Sequence, residues 1–91
     1  MSFQIKHDPD AKLDYGCDWT DWLSDGATIA TSTWSITPVG PTLSADTNST
    51  TATVVWVQGG TAGAVYTLTN RITDSDGRID DRSIRLVCEE R

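Results

Sequence analysis

The sequence predicts an all-β domain, an antiparallel sandwich with an extended N-terminal arm in front of it. Three observations carry that expectation. Apolar and polar residues alternate at period two in one segment after another. Turn-forming Gly, Pro and Asp residues separate these segments at spacings of about ten residues. No window shows the helical spacing of apolar positions, and Thr, Ser, Val and Trp dominate the second half, where they suit a pleated, half-buried surface.

Residues 1–12 read as the arm. Phe3 and Ile5 alternate with polar residues, His7 follows, and Asp8-Pro9-Asp10 breaks the pattern and turns the chain. Residues 13–91 read as the sandwich. Leu13, Tyr15, Cys17 and Trp19 alternate with Asp14, Gly16 and Asp18, a half-buried strand. Thr20-Asp21 then shifts the phase, so Trp22 and Leu23 require a bulge or a bend, and Ser24-Asp25-Gly26 turns. The run Thr28 to Thr37 is a strand that ends at Pro38, with Ala30, Ser32, Trp34 and Ile36 on one face and Trp34 as the core anchor. Residues 38–49 are turn-rich and polar, with room for a short edge strand at Thr42-Leu43-Ser44.

Thr50 to Gln58 is a further strand, expected to turn Ala52, Val54 and Trp56 inward. A flexible connection, Gly59 to Gly63, leads to a strand with Tyr66, Leu68, Asn70 and Ile72 on one face. Asp74-Ser75-Asp76-Gly77 makes a tight hairpin, because Asp-Gly tolerates positive φ. The last strand returns with Ile84, Leu86 and Cys88 inward. Five or six strong strands with one or two weak ones, and the pattern around Tyr66, point to an immunoglobulin-like antiparallel β-sandwich.

Composition narrows the function. Ninety-one residues hold one core of ordinary domain size. Net charge is −6, from 13 acids against 7 bases, which repels phosphate backbones and argues against nucleic-acid binding. The acids Asp8, Asp10, Asp14, Asp18, Asp21 and Asp25 crowd the first quarter, while Arg71, Arg78, Arg82, Arg85 and Arg91 all lie in the last. This asymmetry suits solvated faces, two ends side by side in one sheet, or differently charged neighbours in an assembly. No stretch approaches membrane-spanning length and the first residues carry no apolar targeting run, so the expected site of synthesis is a reducing cytoplasm.

Chemistry-bearing clusters are scarce. The one histidine, His7, falls in the arm, so no nucleophile has a base held by a third group, and with two cysteines, Cys17 and Cys88, no zinc site assembles. The cysteines read as free thiols, with a disulfide open if the first and last strands pair. Asp74 to Asp81 resembles a calcium loop only superficially: its glycine comes too early and the closing Glu is missing. Neither catalysis nor a metal or other cofactor is indicated. Four Trp residues are the stronger signal. Trp19, Trp34 and Trp56 fall on apolar faces, as core. Trp22 follows the phase break, beside Asp18 and Asp21, and reads as a protein-interface anchor, as part-buried core, or as a sugar-stacking platform.

The stretch Asp8-Pro9-Asp10-Ala11, Leu13-Asp14-Tyr15, Asp18-Trp19-Thr20-Asp21-Trp22-Leu23 resembles the opening of a family of small tailed-phage and prophage virion proteins described as phage fiber-tail adaptors. Gly59 to Gly63, Tyr66 to Thr73 and Asp76-Gly77-Arg78 are similar too, so the resemblance spans most of residues 8–88. It implies a non-enzymatic structural subunit that joins tail or neck components to fibers, present in several copies in a virion assembled in the bacterial host cytoplasm. Its partners would be other virion proteins and copies of itself. Cys17 and Cys88 stand where the family usually has other residues, which implies no obligatory disulfide. The arm and first strand, through Phe3, Ile5, Asp18, Asp21 and Trp22, are the expected contact surface, since an arm of this kind adds a strand to a neighbour's sheet. A capsid decoration protein and a carbohydrate-binding module are the alternatives.

Overall fold

The β-branched and aromatic segments of the sequence become strands. The computed structural model describes residues 2–8 and 11–89, and from residue 5 onward their side chains. Seven strands follow in chain order: β1 Ser2–His7, β2 Lys12–Asp18, β3 Ile29–Thr37, β4 Thr42–Asn48, β5 Ala52–Gln58, β6 Val65–Asp74 and β7 Ile79–Cys88. They form two sheets, one of order β1-β7-β6-β3 and one of order β2-β5-β4. Every pairing is antiparallel except that of β1 with β7.

The core lies between the sheets. One cluster gathers Tyr15 of β2, Val55 and Val57 of β5, Tyr66 and Leu68 of β6, and Ile84, Leu86 and Cys88 of β7. A second, at the other end, joins Trp19, Ile29 and Ile72. Full burial of side chains this size contributes about 1.5–3 kcal/mol each, the main term holding the two sheets together. Both cysteines are free, Cys88 buried in β7 and Cys17 half-buried on β2 in the other sheet.

Three expectations change. Residues 2–7, expected within an arm, are a strand hydrogen-bonded along β7, in register from Ser2 with Ser83 to His7 with Cys88. The reason is long-range. His7 is fully buried, its Nδ1 is 2.6 Å from the Tyr15 hydroxyl, and its Nε2 donates to the Gly59 carbonyl at 3.1 Å. The sheet is therefore not purely antiparallel.

Trp56 is not core. The register of β2 with β5 pairs Leu13 with Val57 and Tyr15 with Val55, so Thr53, Val55 and Val57 turn inward and Ala52, Val54 and Trp56 outward. Trp56 remains 36% exposed. This strand is apolar on both faces, so alternation alone left its phase undecided. Finally, β4 runs on past Ser44 to Asn48, with an irregularity between Ser44 and Thr47 where Ala45 takes a φ of 50°. Its polar side chains hide a strand whose backbone pairs with β5 regardless.

The Gly59 to Gly63 connection is tied down. Gly63 N–H donates to the Cys88 carbonyl, Cys88 N–H to the Ala64 carbonyl, and Thr61 N–H to the Tyr66 hydroxyl. At Gly60, with φ 114°, any side chain would also meet the Cys88 sulfur at 2.9 Å.

Candidate partner-binding surface

The expected contact residues divide between a corner and an edge. The corner is residues 18–23, at the end of β2. The Asp18 carboxylate accepts from the Thr20 hydroxyl at 2.6 Å and the Thr20 N–H at 3.0 Å, which folds the chain back after the strand. The same two bonds, the hydroxyl first, hold the Asp18 carboxyl below the usual carboxylate range. Trp22 and Leu23 N–H groups then both donate to the Trp19 carbonyl. This single tight turn resolves the phase break in the sequence: Trp19 enters the core and Trp22 packs back on it.

Trp19 is fully buried, and its indole N–H donates to Asn70 Oδ1 at 2.9 Å. Asn70, fully buried on β6, also accepts from the Thr53 hydroxyl and donates to Ser32 Oγ and the Thr33 carbonyl. One amide thus joins four segments. Trp22 meets the Trp19 ring edge-on, centroids 5.5 Å apart, and is half-buried. Over its outer face lies the Arg78 guanidinium, 4.7 Å from the ring, while Arg82 covers Trp19 at 4.2 Å and donates to the Asp18 carbonyl. The late arginines therefore do meet the acidic first quarter of the chain, at this corner.

Arg78 is aimed by Asp74, which is nearly fully buried at the head of the last hairpin. Burial pushes the Asp74 carboxyl up. Hydrogen bonds from the Arg78 N–H and guanidinium and the Asp76 N–H outweigh it, and hold the carboxyl below its ordinary range. A hairpin turn closes residues 74–78 here, and its carboxylate is engaged within the turn.

Of the expected residues, Asp21 and Asp18 are exposed beside this corner, and Trp22 is shared between the corner and the surface. Ile5 lies elsewhere, on β1 opposite Leu86, and at the open edge of its sheet stays 37% exposed. The side chain of Phe3 lies outside the described residues. Its backbone sits beside Ile84, which with Cys17, Asp18 and Arg82 lines a cleft of about 290 Å³, so Asp18 and the start of β1 share one side of the molecule.

Sequence reasoning missed the outer face of the three-stranded sheet. Trp56 stands at its centre, between Asp14 of β2 and Ser44 of β4, and Val54 stands between Gly16 and Thr47. Gly16 is required there: a Cβ would lie 2.6 Å from the Thr53 carbonyl. Val54 beside it is half-buried. The signal was present in the sequence, since a strand with both alternating sets apolar asks for burial on both faces.

Chemically this surface offers stacking, apolar contact and charge. Burial pushes both thiols up, at Cys17 and at Cys88, which keeps them protonated and poorly nucleophilic. A family model described as podophage GP4 fiber-tail adaptor protein gp77 matches residues 7–87. No curated protein matches the chain.

Proposed function

The chain belongs to the podophage GP4 fiber-tail adaptor protein gp77 family, a family of structural phage proteins, and on that premise we propose that it joins tail or neck components to fibers through direct protein contacts. The observation that carries a specific surface is the two-sided apolarity of β5. Its inner set packs the core, and its outer set, Ala52, Val54 and Trp56, stands on the open face of the sheet. An aromatic ring framed by apolar and polar neighbours is the composition of an interface centre. The corner residues Asp18, Asp21 and Trp22 and the edge strand carrying Phe3 and Ile5 supply a second contact, to another virion protein or a further copy of the chain. In this reading β1, Ser2–His7, acts in assembly as a sheet edge. The subunit is a virion component, assembled in the host cytoplasm, with no part in catalysis or in nucleic-acid or membrane binding.

The fold reading is immunoglobulin-like. The strand orders β2-β5-β4 and β7-β6-β3 correspond to the B-E-D and G-F-C orders of immunoglobulin sheets, while β1 lies beside β7 and not beside β2. The Tyr66 hydroxyl, at the start of β6, accepts from the backbone N–H of Thr61 just upstream, as in the tyrosine corner of such domains.

Complementation of a phage lacking this protein tests the assignment. Trp56→Ala and Trp22→Ala variants that fold by circular dichroism are expected to be depleted from particles by mass spectrometry. Normal incorporation of both removes these surfaces from the assembly. A cryo-EM map placing the subunit on the head shell, away from tail and fibers, overturns the adaptor role itself.

A further inference from the structure

We propose that the free edge of β3 and the cleft beside it receive an extended, basic segment of another tail or fiber protein as an added strand. This names the partner chemistry of the adaptor role and rests on that reading. Three observations point to the site. β3 ends its sheet, so one side of its backbone has no strand partner among the described residues. Soluble proteins guard such edges with charge, proline or bulges. The other sheet edges are guarded: β1 carries Lys6, β2 carries Lys12, Asp14 and Asp18, and β4 carries Asp46 and an irregular register. From Ile29 to Thr37 there is no charge, Gly or Pro, and the one irregularity, at Ile29/Thr31, sits at its beginning.

The second observation is the cleft itself. It has a volume of about 320 Å³, lies between β3 and β4, and is lined by Trp34, Leu43 and Val55 with Ser44 and Asp46 at its polar side. It is wide enough for one aliphatic side chain of an added strand. The third is Trp34, which lines the cleft and whose Nε1 is buried without a hydrogen-bond partner among the described residues. A buried indole N–H is normally paired, so this donor asks for an acceptor the chain does not supply.

An extended peptide meets all three needs at once. Its main chain pairs with β3, an aliphatic side chain fills the cleft against Trp34, and a small turn of the indole toward the cleft brings its buried Nε1 to a carbonyl of the added strand. Asp46 is the one charged residue lining the cleft among the described residues, in a chain of net charge −6, so Lys or Arg on the incoming segment is favoured. The same charge disfavours a second copy of this chain.

Overlapping synthetic peptides from the tail and fiber proteins of the same phage, bound to the intact protein, test this. The expected binders are rich in Lys, Arg and β-branched residues, and they shift the Trp34 indole N–H resonance, identified by its loss in Trp34→Phe. Ser35→Lys, an exposed edge charge, and Asp46→Lys should each weaken binding about tenfold without altering the melting temperature. Binding indifferent to both, or no binder at all, overturns the proposal. So does self-association of the protein that Ser35→Lys abolishes, since the occupant is then a second copy. A subunit mapped to the head shell with peptide binding intact would sink the adaptor role and leave the strand-accepting edge standing.

Discussion

Replacing Asn70 by Ala removes one side chain and strands several others. Its amide accepts from Trp19 Nε1 at 2.9 Å and Thr53 Oγ1 at 2.7 Å, and donates to Ser32 Oγ at 2.9 Å and the Thr33 carbonyl at 3.0 Å. Trp19 and Thr53 are both fully buried, so their donors lose the amide without gaining bulk solvent. Each stranded buried donor costs about 1–3 kcal/mol, against roughly 1 kcal/mol for the net worth of an ordinary hydrogen bond. Two stranded donors, with a smaller contribution from half-buried Ser32, give about 3–5 kcal/mol for Asn70→Ala. That is a large part of the roughly 5–10 kcal/mol expected for a domain this size. Thr53→Val is the contrast, since it removes a donor and leaves Asn70 still bonded to Trp19; about 1 kcal/mol is expected. Urea unfolding, followed by tryptophan fluorescence and far-ultraviolet circular dichroism, measures both. A loss below about 1 kcal/mol for Asn70→Ala, or equal losses for the two variants, would refute the view of Asn70 as the junction of the corner.

Two further outcomes follow from burial and charge. Trp34→Ala should cost about 3 kcal/mol and Trp56→Ala clearly less, about 1 kcal/mol, because Trp34 packs against the core cluster and Trp56 lies on the outer face. The reverse order in urea midpoints would mean that the phase of β5 is inverted. Asp74 binds its proton less tightly folded than unfolded, so its contribution is fully present above the unfolded carboxylate value and is lost as pH falls through the lowered folded value. Asp74→Asn should therefore be less stable at neutral pH and show a flatter acid limb in melting temperature against pH; parallel curves would show that its charge does not matter.

The legible parts of this fold are those where local chemistry and tertiary burial agree. Tyr66, Leu68, Asn70 and Ile72 alternate with Thr and Arg, and the Asp-Gly turn after them closes on β7, so both strands and their inward faces could be read. On β5 both alternating sets are apolar, and only the cross-strand register with Tyr15 decides which faces the core. The alternation of Phe3 and Ile5 is local, but the docking of residues 2–7 rests on Tyr15, Gly59 and residues 83–88 of β7, which no local pattern announces. The candidate site divides in the same way. A bend after Trp19 was implied by the broken phase, but the half-burial of Trp22 depends on Arg78, which only the folded hairpin brings over the ring. Asp18 and Asp21 were placed at the surface by their charge alone.

The parallel docking of β1 on β7 has a mechanical meaning. The two strands stand at opposite ends of the described chain yet lie side by side, with six consecutive residue pairs from Ser2/Ser83 to His7/Cys88. A load entering ahead of β1 and leaving after β7 pulls along their common axis in opposite senses. The backbone bonds between them are then sheared together, since no one pair can part before its neighbours slide. An antiparallel pair loaded from one end would unzip bond by bond at far lower force. The buried His7 adds a latch, because slippage of β1 must also pull an imidazole from Tyr15 and Gly59. A domain built this way resists tension applied along β1 and β7 while its two sheets stay together.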